Sequence, residues 1–172
     1  MPIASVWLLP SQASTDAISR IMRDLDEQHS SWPRFTPHLT LYSGHSDDLK
    51  ESFSNLCRLG GPFVAPVKGV DWTMERFKTV FLTFDAAHPA FIAARTAIVD
   101  QSKLASTSFN PHVSLIYCTS TELSCQERAK LAESCLGKLL NVEFDRAVVV
   151  SPRNGVTWEV VSDWEVVAEC FL

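Results

Sequence analysis

Residues 35–41 read FTPHLTL and residues 109–115 read FNPHVSL, so one seven-residue pattern occurs twice in the chain. Both copies consist of Phe, a variable residue, Pro, His, an aliphatic residue, a hydroxyl residue and Leu. The two histidines, His38 and His112, are 74 positions apart (112 minus 38). A pattern this specific is seldom repeated by chance, and we take it as the centre of the fold and of the function.

The residues after each proline alternate with the period of a β-strand. His38 and Thr40 would project from one face of a first strand, and His112 and Ser114 from one face of a second, with aliphatic residues behind them. The preceding proline has no N–H to donate and is tolerated at a first strand position, so it gives each strand a stiff start. Each copy therefore predicts an imidazole beside a hydroxyl.

Two histidines that meet at one site suit the hydrolysis of a phosphodiester. A neutral imidazole takes the proton of the attacking water, while an imidazolium protonates the leaving oxygen. Histidine titrates near pH ~6.5, so only modest tuning is needed. Thr40 and Ser114 would donate hydrogen bonds to the non-bridging phosphate oxygens. We expect no metal and no other cofactor, because these groups supply the electrophilic side and no acidic cluster stands out.

The motifs HLTL and HVSL resemble the paired His-x-Thr/Ser-x motifs of the 2H phosphoesterase superfamily, and the chain looks most like its plant and fungal cyclic phosphodiesterase branch. The resemblance implies two lobes, each an antiparallel sheet covered by helices, with the active-site groove between them. It implies opening of ADP-ribose 1″,2″-cyclic phosphate, a product of tRNA splicing, to ADP-ribose 1″-phosphate, and of nucleoside 2′,3′-cyclic phosphates to 2′-phosphates. By this resemblance His38 and His112 look like the catalytic pair, and Thr40 and Ser114 like the phosphate ligands.

The same branch implies two further substrate-binding residues, Tyr117 and Trp7. Tyr117 stands three places after Ser114, on the opposite face of an ideal strand, so it can reach the phosphate only if the strand ends or bulges near Ile116. Trp7 in an apolar first strand is either a core residue or an indole that stacks on a base. For a product with a free 3′ hydroxyl, we assign His38 as the acid and His112 as the base.

Hydrophobic periodicity and turn signals predict an α+β fold with two similar halves, in one domain spanning residues 1–172. If an approximate two-fold axis relates the halves, the two motif faces meet across a cleft.

Strands are predicted at Ile3–Leu9, from Pro37 to about Tyr42, at Pro62–Trp72, at Phe77–Phe84, over the second histidine motif up to about Cys118, at Val142–Val150, and at Val156–Leu172 with an interruption near Ser162 and Asp163. Helices are predicted from Ser14 or Thr15 to Ser30, from Asp47 or Asp48 to Gly60, from His88 to Leu104, and from Thr121 to Leu139. A tight hairpin is predicted at residues 152–155, PRNG.

Composition limits the partners and the location. The net charge is −5 without a basic tract, which argues against a long nucleic acid or an anionic membrane and favours a small cyclic nucleotide as the substrate. With 46% hydrophobic residues the chain can bury its own core, and we expect a monomer. Met1–Leu9 has no basic segment and its apolar run ends at Pro10, so we predict neither a signal peptide nor a spanning helix, and a cytoplasmic protein.

The cysteines and the remaining polar residues leave alternatives open. Five cysteines without a C-x-x-C pair fit free thiols better than a zinc site or a disulfide scaffold, although one bridge remains possible. His29, His45 and His88 are interpreted as solvated or capping residues. The cations that could contact phosphate, or simply lie in solvent, are Arg34, Arg76, Lys78 and Arg153.

Two other functions compete with cyclic phosphodiester hydrolysis. One is processing of RNA ends or of 2′-5′ linkages by an enzyme of the same superfamily, which would call for a more basic groove. The other is a non-catalytic module that binds a phosphorylated ligand, for which two titrating groups would be unnecessary.

Overall fold

The computed structural model describes residues 3–27, 32–99, 108–118, 122–153 and 164–172. Its strands are β1 Ile3–Pro10, β2 Leu39–His45, β3 Phe63–Trp72, β4 Val80–Phe84, β5 His112–Ile116, β6 Asn141–Pro152 and β7 Trp164–Phe171. Its helices are α1 Gln12–Asp26, α2 Ser46–Leu56, α3 Pro89–Ile98 and α4 Cys125–Cys135. A short 3-10 turn, Arg76–Lys78, precedes β4. The predicted α+β class is confirmed.

The described strands form one seven-stranded antiparallel sheet in the order β1-β2-β5-β4-β3-β6-β7, and β1 also pairs with β6. The chain runs through β-α-β-α-β twice before β7. The third strand of each run joins the other half: β6 lies beside β1, and β3 lies beside β4. Strands β1, β2, β6 and β7 thus form one lobe and β3, β4 and β5 the other, and the lobes are joined through short pairings, one between β2 and β5 and one between β3 and the start of β6.

The two faces of β1 show how the sheet is used. Ala4, Val6 and Leu8 are fully buried in the main core, which is packed beneath the helices. Ser5 and Trp7 point the other way, into a cavity on the uncovered face. Because successive side chains of β1 point to opposite faces of the sheet, one set packs in the core and the other lines the cavity.

Several boundaries differ from the predicted ones for identifiable reasons. Helix α1 is capped by Ser11, whose side chain accepts from the N–H of Ser14, and not by Ser14 or Thr15. Helix α4 begins later than Thr121, because Ser124 and Glu127 form a capping box.

The strand ends move as well. The strand predicted from Phe77 begins at Val80, since residues 76–78 form the 3-10 turn. Strand β2 continues beyond Tyr42 to His45, and β5 stops at Ile116 instead of Cys118. The described residues exclude His29, the end of the third predicted helix, residues 154–155 of the predicted 152–155 hairpin, and the interruption at Ser162 and Asp163.

Two of the five cysteines form the single bridge that the sequence left open, and the other three are free thiols. Cys57, just after α2, and Cys170, in β7, form a disulfide with their Cα atoms 5.8 Å apart. They are 113 positions apart, and no spacing rule links residues whose proximity depends on how α2 and β7 pack. Cys118 and Cys135 are free and buried, and Cys125 is free and exposed.

Candidate active site

The two motif strands meet each other directly. Strands β2 and β5 pair antiparallel at Leu39 and Val113, the residues that follow the two histidines. These two residues occupy equivalent places in the two motifs, so a local two-fold axis passes between them. Antiparallel geometry then sets His38 opposite Ser114 and Thr40 opposite His112, all on the face away from the core. Each histidine therefore lies across from the hydroxyl residue of the other motif.

A β-bulge follows the hydroxyl residue in both motifs. Against β1, Trp7 pairs with Thr40 and Val6 with Tyr42, so Leu41 is the extra residue. Against β4, Phe81 pairs with Ser114 and Val80 with Ile116, which makes Leu115 the extra residue. A one-residue insertion reverses the alternation of faces beyond it.

These bulges decide which later residues reach the cavity. Ser43 and Tyr117, each three positions after a motif hydroxyl, both line the cavity. An ideal strand would have placed Tyr117 on the face opposite Ser114. It lies on the cavity face because β5 bulges at Leu115 and ends at Ile116. Ser43, the equivalent residue in the first half, was not predicted, since its position is set by a bulge that the alternation does not reveal.

The two imidazoles are held in the same way. His38 Nδ1 lies 2.7 Å from the carbonyl oxygen of Thr36, and His112 Nδ1 lies 2.8 Å from that of Asn110. A carbonyl can only accept, so Nδ1 carries the proton in both rings. Nε2 is then the atom that exchanges a proton during a reaction, as in other histidines whose second nitrogen is anchored to the backbone.

Burial lowers the pKa of both histidines, and the effect is stronger for His38. The pKa of His38 is lowered to about 4, chiefly by burial; the hydrogen bond to Thr36 raises this pKa and the charge of His112 lowers it. The pKa of His112 is also lowered, first by burial and then by Lys78, whereas Asn110 and Glu75 raise it. His112 is the less buried ring. At neutral pH His38 is therefore uncharged, and His112 is desolvated less.

The hydroxyl groups occupy different surroundings. Ser114 is 4% exposed and its Oγ donates to the carbonyl oxygen of Phe77 at 2.8 Å. The Tyr117 hydroxyl is hydrogen-bonded to Ser114, and burial raises the pKa of Tyr117, which keeps the phenol protonated. Thr40 lines the cavity and is half-buried. For Ser114 to donate to a ligand, its proton must turn away from Phe77.

Trp7 lines the cavity, but little of its surface is exposed. The His38 ring stacks on it with centroids 3.7 Å apart, and Trp164 stacks on it at 5.7 Å. With 9% of its surface exposed, Trp7 offers no free face to a base. Its indole instead packs against His38, and half-exposed Trp164 is a further aromatic side chain that lines the cavity. Trp164 was not predicted, because β7 is remote in sequence from both motifs.

The cavity measures about 170 Å³ and brings together all six residues predicted from the sequence: His38, His112, Thr40, Ser114, Tyr117 and Trp7. The structure adds Ser5 and Ser43, whose hydroxyl oxygens are 2.7 Å apart, together with Phe77 and Trp164. The hydroxyl-rich wall can donate several hydrogen bonds to an anion.

The cations considered from the sequence do not line this cavity. Lys78 Nζ lies 4.9 Å from the centroid of the Phe81 ring, which packs against His112, and Arg76 Cζ lies 5.4 Å from the centroid of the Phe77 ring, which lines the cavity. Arg34 lies 3.8 Å from Asp26, and Arg153 lies 3.9 Å from Glu165. Over the described part of the chain no group of three or more His, Cys, Asp or Glu residues is arranged to hold a metal ion. No described helix is long and apolar enough to cross a membrane.

Comparison with solved structures shows the fold. Apo LigT from E. coli superposes with a TM-score of 0.59 at 11% identity, over 99% of this chain and 97% of that one. A structure described as a phosphoesterase gives a TM-score of 0.59 at 11% identity, over 100% and 99%. LigT complexed with NADP+ gives 0.60 at 10% identity, over 99% and 97%. No protein-family model and no curated protein sequence matches the chain.

Proposed function

We propose that the protein is a metal-independent cyclic phosphodiesterase of the 2H phosphoesterase superfamily. The observation that carries this proposal is the pair of equivalent imidazoles, each anchored through Nδ1 to a backbone carbonyl, in one cavity with a hydroxyl residue from the opposite motif beside each. Anchoring of both rings leaves two Nε2 atoms for proton transfer, which binding alone would not require. The likeness to LigT in fold agrees with this proposal.

The substrate enters with its cyclic phosphate against the hydroxyl-rich wall. Thr40 and Ser114 donate to the non-bridging oxygens, where negative charge accumulates as the reaction proceeds. Tyr117 holds Ser114 in place through their hydrogen bond. To do this, the Ser114 hydroxyl must stop donating to the Phe77 carbonyl oxygen. On ligand binding it therefore replaces a neutral acceptor by a charged phosphate oxygen.

Proton transfer needs one neutral and one charged imidazole. Water attacks phosphorus, its proton passes to Nε2 of the base, and the leaving ribose oxygen takes the proton of the acid as its bond to phosphorus breaks. Burial makes His38 the stronger candidate for the neutral base, and the more exposed His112 the candidate for the acid. This reverses the assignment made from the sequence. Each proton transfer contributes roughly 10²- to 10⁴-fold in rate.

The resemblance of the motifs to the plant and fungal branch points to ADP-ribose 1″,2″-cyclic phosphate and nucleoside 2′,3′-cyclic phosphates as substrates. We expect the second class to yield 2′-phosphates. A cavity of about 170 Å³ suits the cyclic phosphate and the adjoining ribose, and leaves the rest of the molecule outside it.

The test is hydrolysis in the presence of EDTA, with both cyclic phosphates as substrates and phosphorus NMR to identify the products. We expect turnover by the wild-type protein and a loss of at least about 10³-fold in His38→Ala and in His112→Ala. His88→Gln, outside the cavity, is the matched histidine control. Tight binding without turnover of either compound would replace this proposal with a ligand-binding module.

A further inference from the structure

The hydroxyl of Ser114 is held from two sides. Its Oγ donates to the carbonyl oxygen of Phe77 at 2.8 Å, and it is also hydrogen-bonded to the hydroxyl of Tyr117. A serine hydroxyl has one proton, and here that proton goes to Phe77, so Tyr117 is the donor of the second bond. When Ser114 turns its proton toward a phosphate oxygen, the bond from Tyr117 remains and polarises the hydroxyl toward the ligand. The position of Oγ therefore depends on where Phe77 and Tyr117 lie.

The two groups that hold Ser114 come from different elements. Phe77 lies in the 3-10 turn before β4, and Tyr117 follows the last residue of β5. Their rings meet edge to face with centroids 5.3 Å apart. The ladder between β4 and β5 ends at the pair of Val80 and Ile116, so it does not extend to either residue. A further contact is needed to fix the turn against the end of β5.

Thr79 supplies this contact through its side chain, which is fully buried. Its Oγ1 accepts a hydrogen bond from the backbone N–H of Cys118 at 3.1 Å. The same hydroxyl donates to the carbonyl oxygen of Arg76, which lies 3.0 Å away and is the closest of its acceptors. The carbonyl oxygens of Glu75 and Cys118 lie at 3.3 Å. One hydroxyl thus joins the backbone of the 3-10 turn to the backbone after β5.

The two main partners of this hydroxyl are sequence neighbours of the residues that hold the motif serine. Cys118 directly follows Tyr117, and Arg76 directly precedes Phe77. A backbone segment that is fixed at one residue leaves the next residue little freedom, because each residue has only two soft dihedral angles. The bridge made by Thr79 therefore fixes the Phe77 carbonyl relative to the Tyr117 hydroxyl.

We propose that Thr79 is a positioning residue, which fixes the two groups that hold Ser114 and thereby the direction in which Ser114 donates to the phosphate. Thr79 itself touches no substrate, because it is fully buried and does not line the cavity. The first motif is held differently: Ser43, the equivalent of Tyr117, is bonded to Ser5 with the two oxygens 2.7 Å apart. The support is therefore specific to the second motif. This inference rests on the proposed function and adds a residue to its machinery.

The test is a double-mutant cycle on kcat with adenosine 2′,3′-cyclic phosphate as the substrate. Thr79→Val removes the hydroxyl at similar side-chain size. We expect kcat to fall roughly tenfold with KM little changed, because a donor to the transition state loses its orientation. In the Ser114→Ala background the same substitution should change kcat by less than about twofold, since there is no hydroxyl left to orient. In the Thr40→Ala background it should again cost roughly tenfold, because Thr40 belongs to the other motif.

Two controls separate positioning from general stability. Thr79→Ser keeps the hydroxyl and should restore kcat, although it removes a buried methyl group. Leu131→Ala, a buried residue of α4 outside the cavity, should lower the free energy of unfolding and leave kcat within about twofold of wild type wherever the protein is folded. If Thr79→Val does not fold, Thr79→Cys replaces it in the cycle, because a thiol is a weak donor and a weak acceptor.

The outcomes separate this inference from the proposal on which it rests. An unchanged kcat in Thr79→Val, an equal loss with and without the Ser114 hydroxyl, or no recovery in Thr79→Ser would overturn the positioning role and leave the cyclic phosphodiesterase standing. A change confined to KM would do the same. Absence of turnover by the wild-type protein, with this substrate and with ADP-ribose 1″,2″-cyclic phosphate, would remove both.

Discussion

Replacing His38 by glutamine should make the stability of the protein less sensitive to acid. His38 is 8% exposed, and burial lowers its pKa from 6.5 to about 4. Above pH 6.5 the ring is neutral in the folded and the unfolded chain, so it adds no pH dependence. Below pH 6.5 the unfolded chain binds a proton that the folded protein excludes, and stability falls until the folded protein also binds it near pH 4.

The size of this effect follows from the two pKa values. They differ by about 2.5, and each pKa unit corresponds to ~1.36 kcal/mol, so the wild-type protein should lose about 3 kcal/mol through this residue between pH 7 and pH 4. Carboxylates also titrate in this range, but they are common to both proteins. The difference between wild type and His38→Gln isolates the histidine.

The assay is urea unfolding of wild type and His38→Gln at half-unit intervals from pH 7.5 to 4. The stability difference between the two proteins should change by about 3 kcal/mol across this range, in favour of the variant at acid pH. NMR titration of the ring protons measures the pKa directly, and His112→Gln should raise it, because the charge of His112 lowers it. Parallel stability curves for the two proteins, or a His38 ring that titrates near pH 6.5, would refute the reasoning.

Three further predictions concern the surroundings of the site. Lys78→Met should raise the pKa of His112 and move the limb of the pH–rate profile that it governs to higher pH, whereas Glu75→Gln should move it to lower pH; shifts in the same direction would contradict the electrostatic account. Ser114→Ala should lower kcat roughly 10²- to 10³-fold as measured by steady-state kinetics, and a change in KM alone would exclude a role in the transition state. Cys57→Ser should reduce the free energy of unfolding by ~2–5 kcal/mol, and an unchanged urea midpoint would show that the bridge does not stabilise the fold.

The sequence predicted the parts of the site that depend on local periodicity. The alternation after each proline placed His38 with Thr40 and His112 with Ser114, and the structure brings all four to one cavity. Alternation could do this because strand geometry is local and side chains in a strand point to alternate faces. Beyond Thr40 and Ser114 the alternation no longer predicts which face a side chain occupies, because β-bulges at Leu41 and Leu115 reverse it.

Parts of the site that come from the remainder of the sheet were not predictable in this way. Trp164 reaches the cavity because β7 pairs with β6 and β6 with β1, a chain of contacts that no local pattern contains. Ser43 faces the cavity only because β2 bulges against β1. The burial of Trp7 likewise depends on His38 and Trp164 packing against it from separate elements.

By itself, the sequence determined that two equivalent histidine strands exist and that each pairs an imidazole with a hydroxyl, because these properties follow from backbone geometry over a few residues. Only the tertiary structure decided that the two strands meet at Leu39 and Val113, that Cys57 bonds to Cys170, and that His38 is the more deeply buried of the two rings. Pairing, proximity and desolvation arise between segments distant in the chain, and they are set by the packing of the whole sheet and its helices.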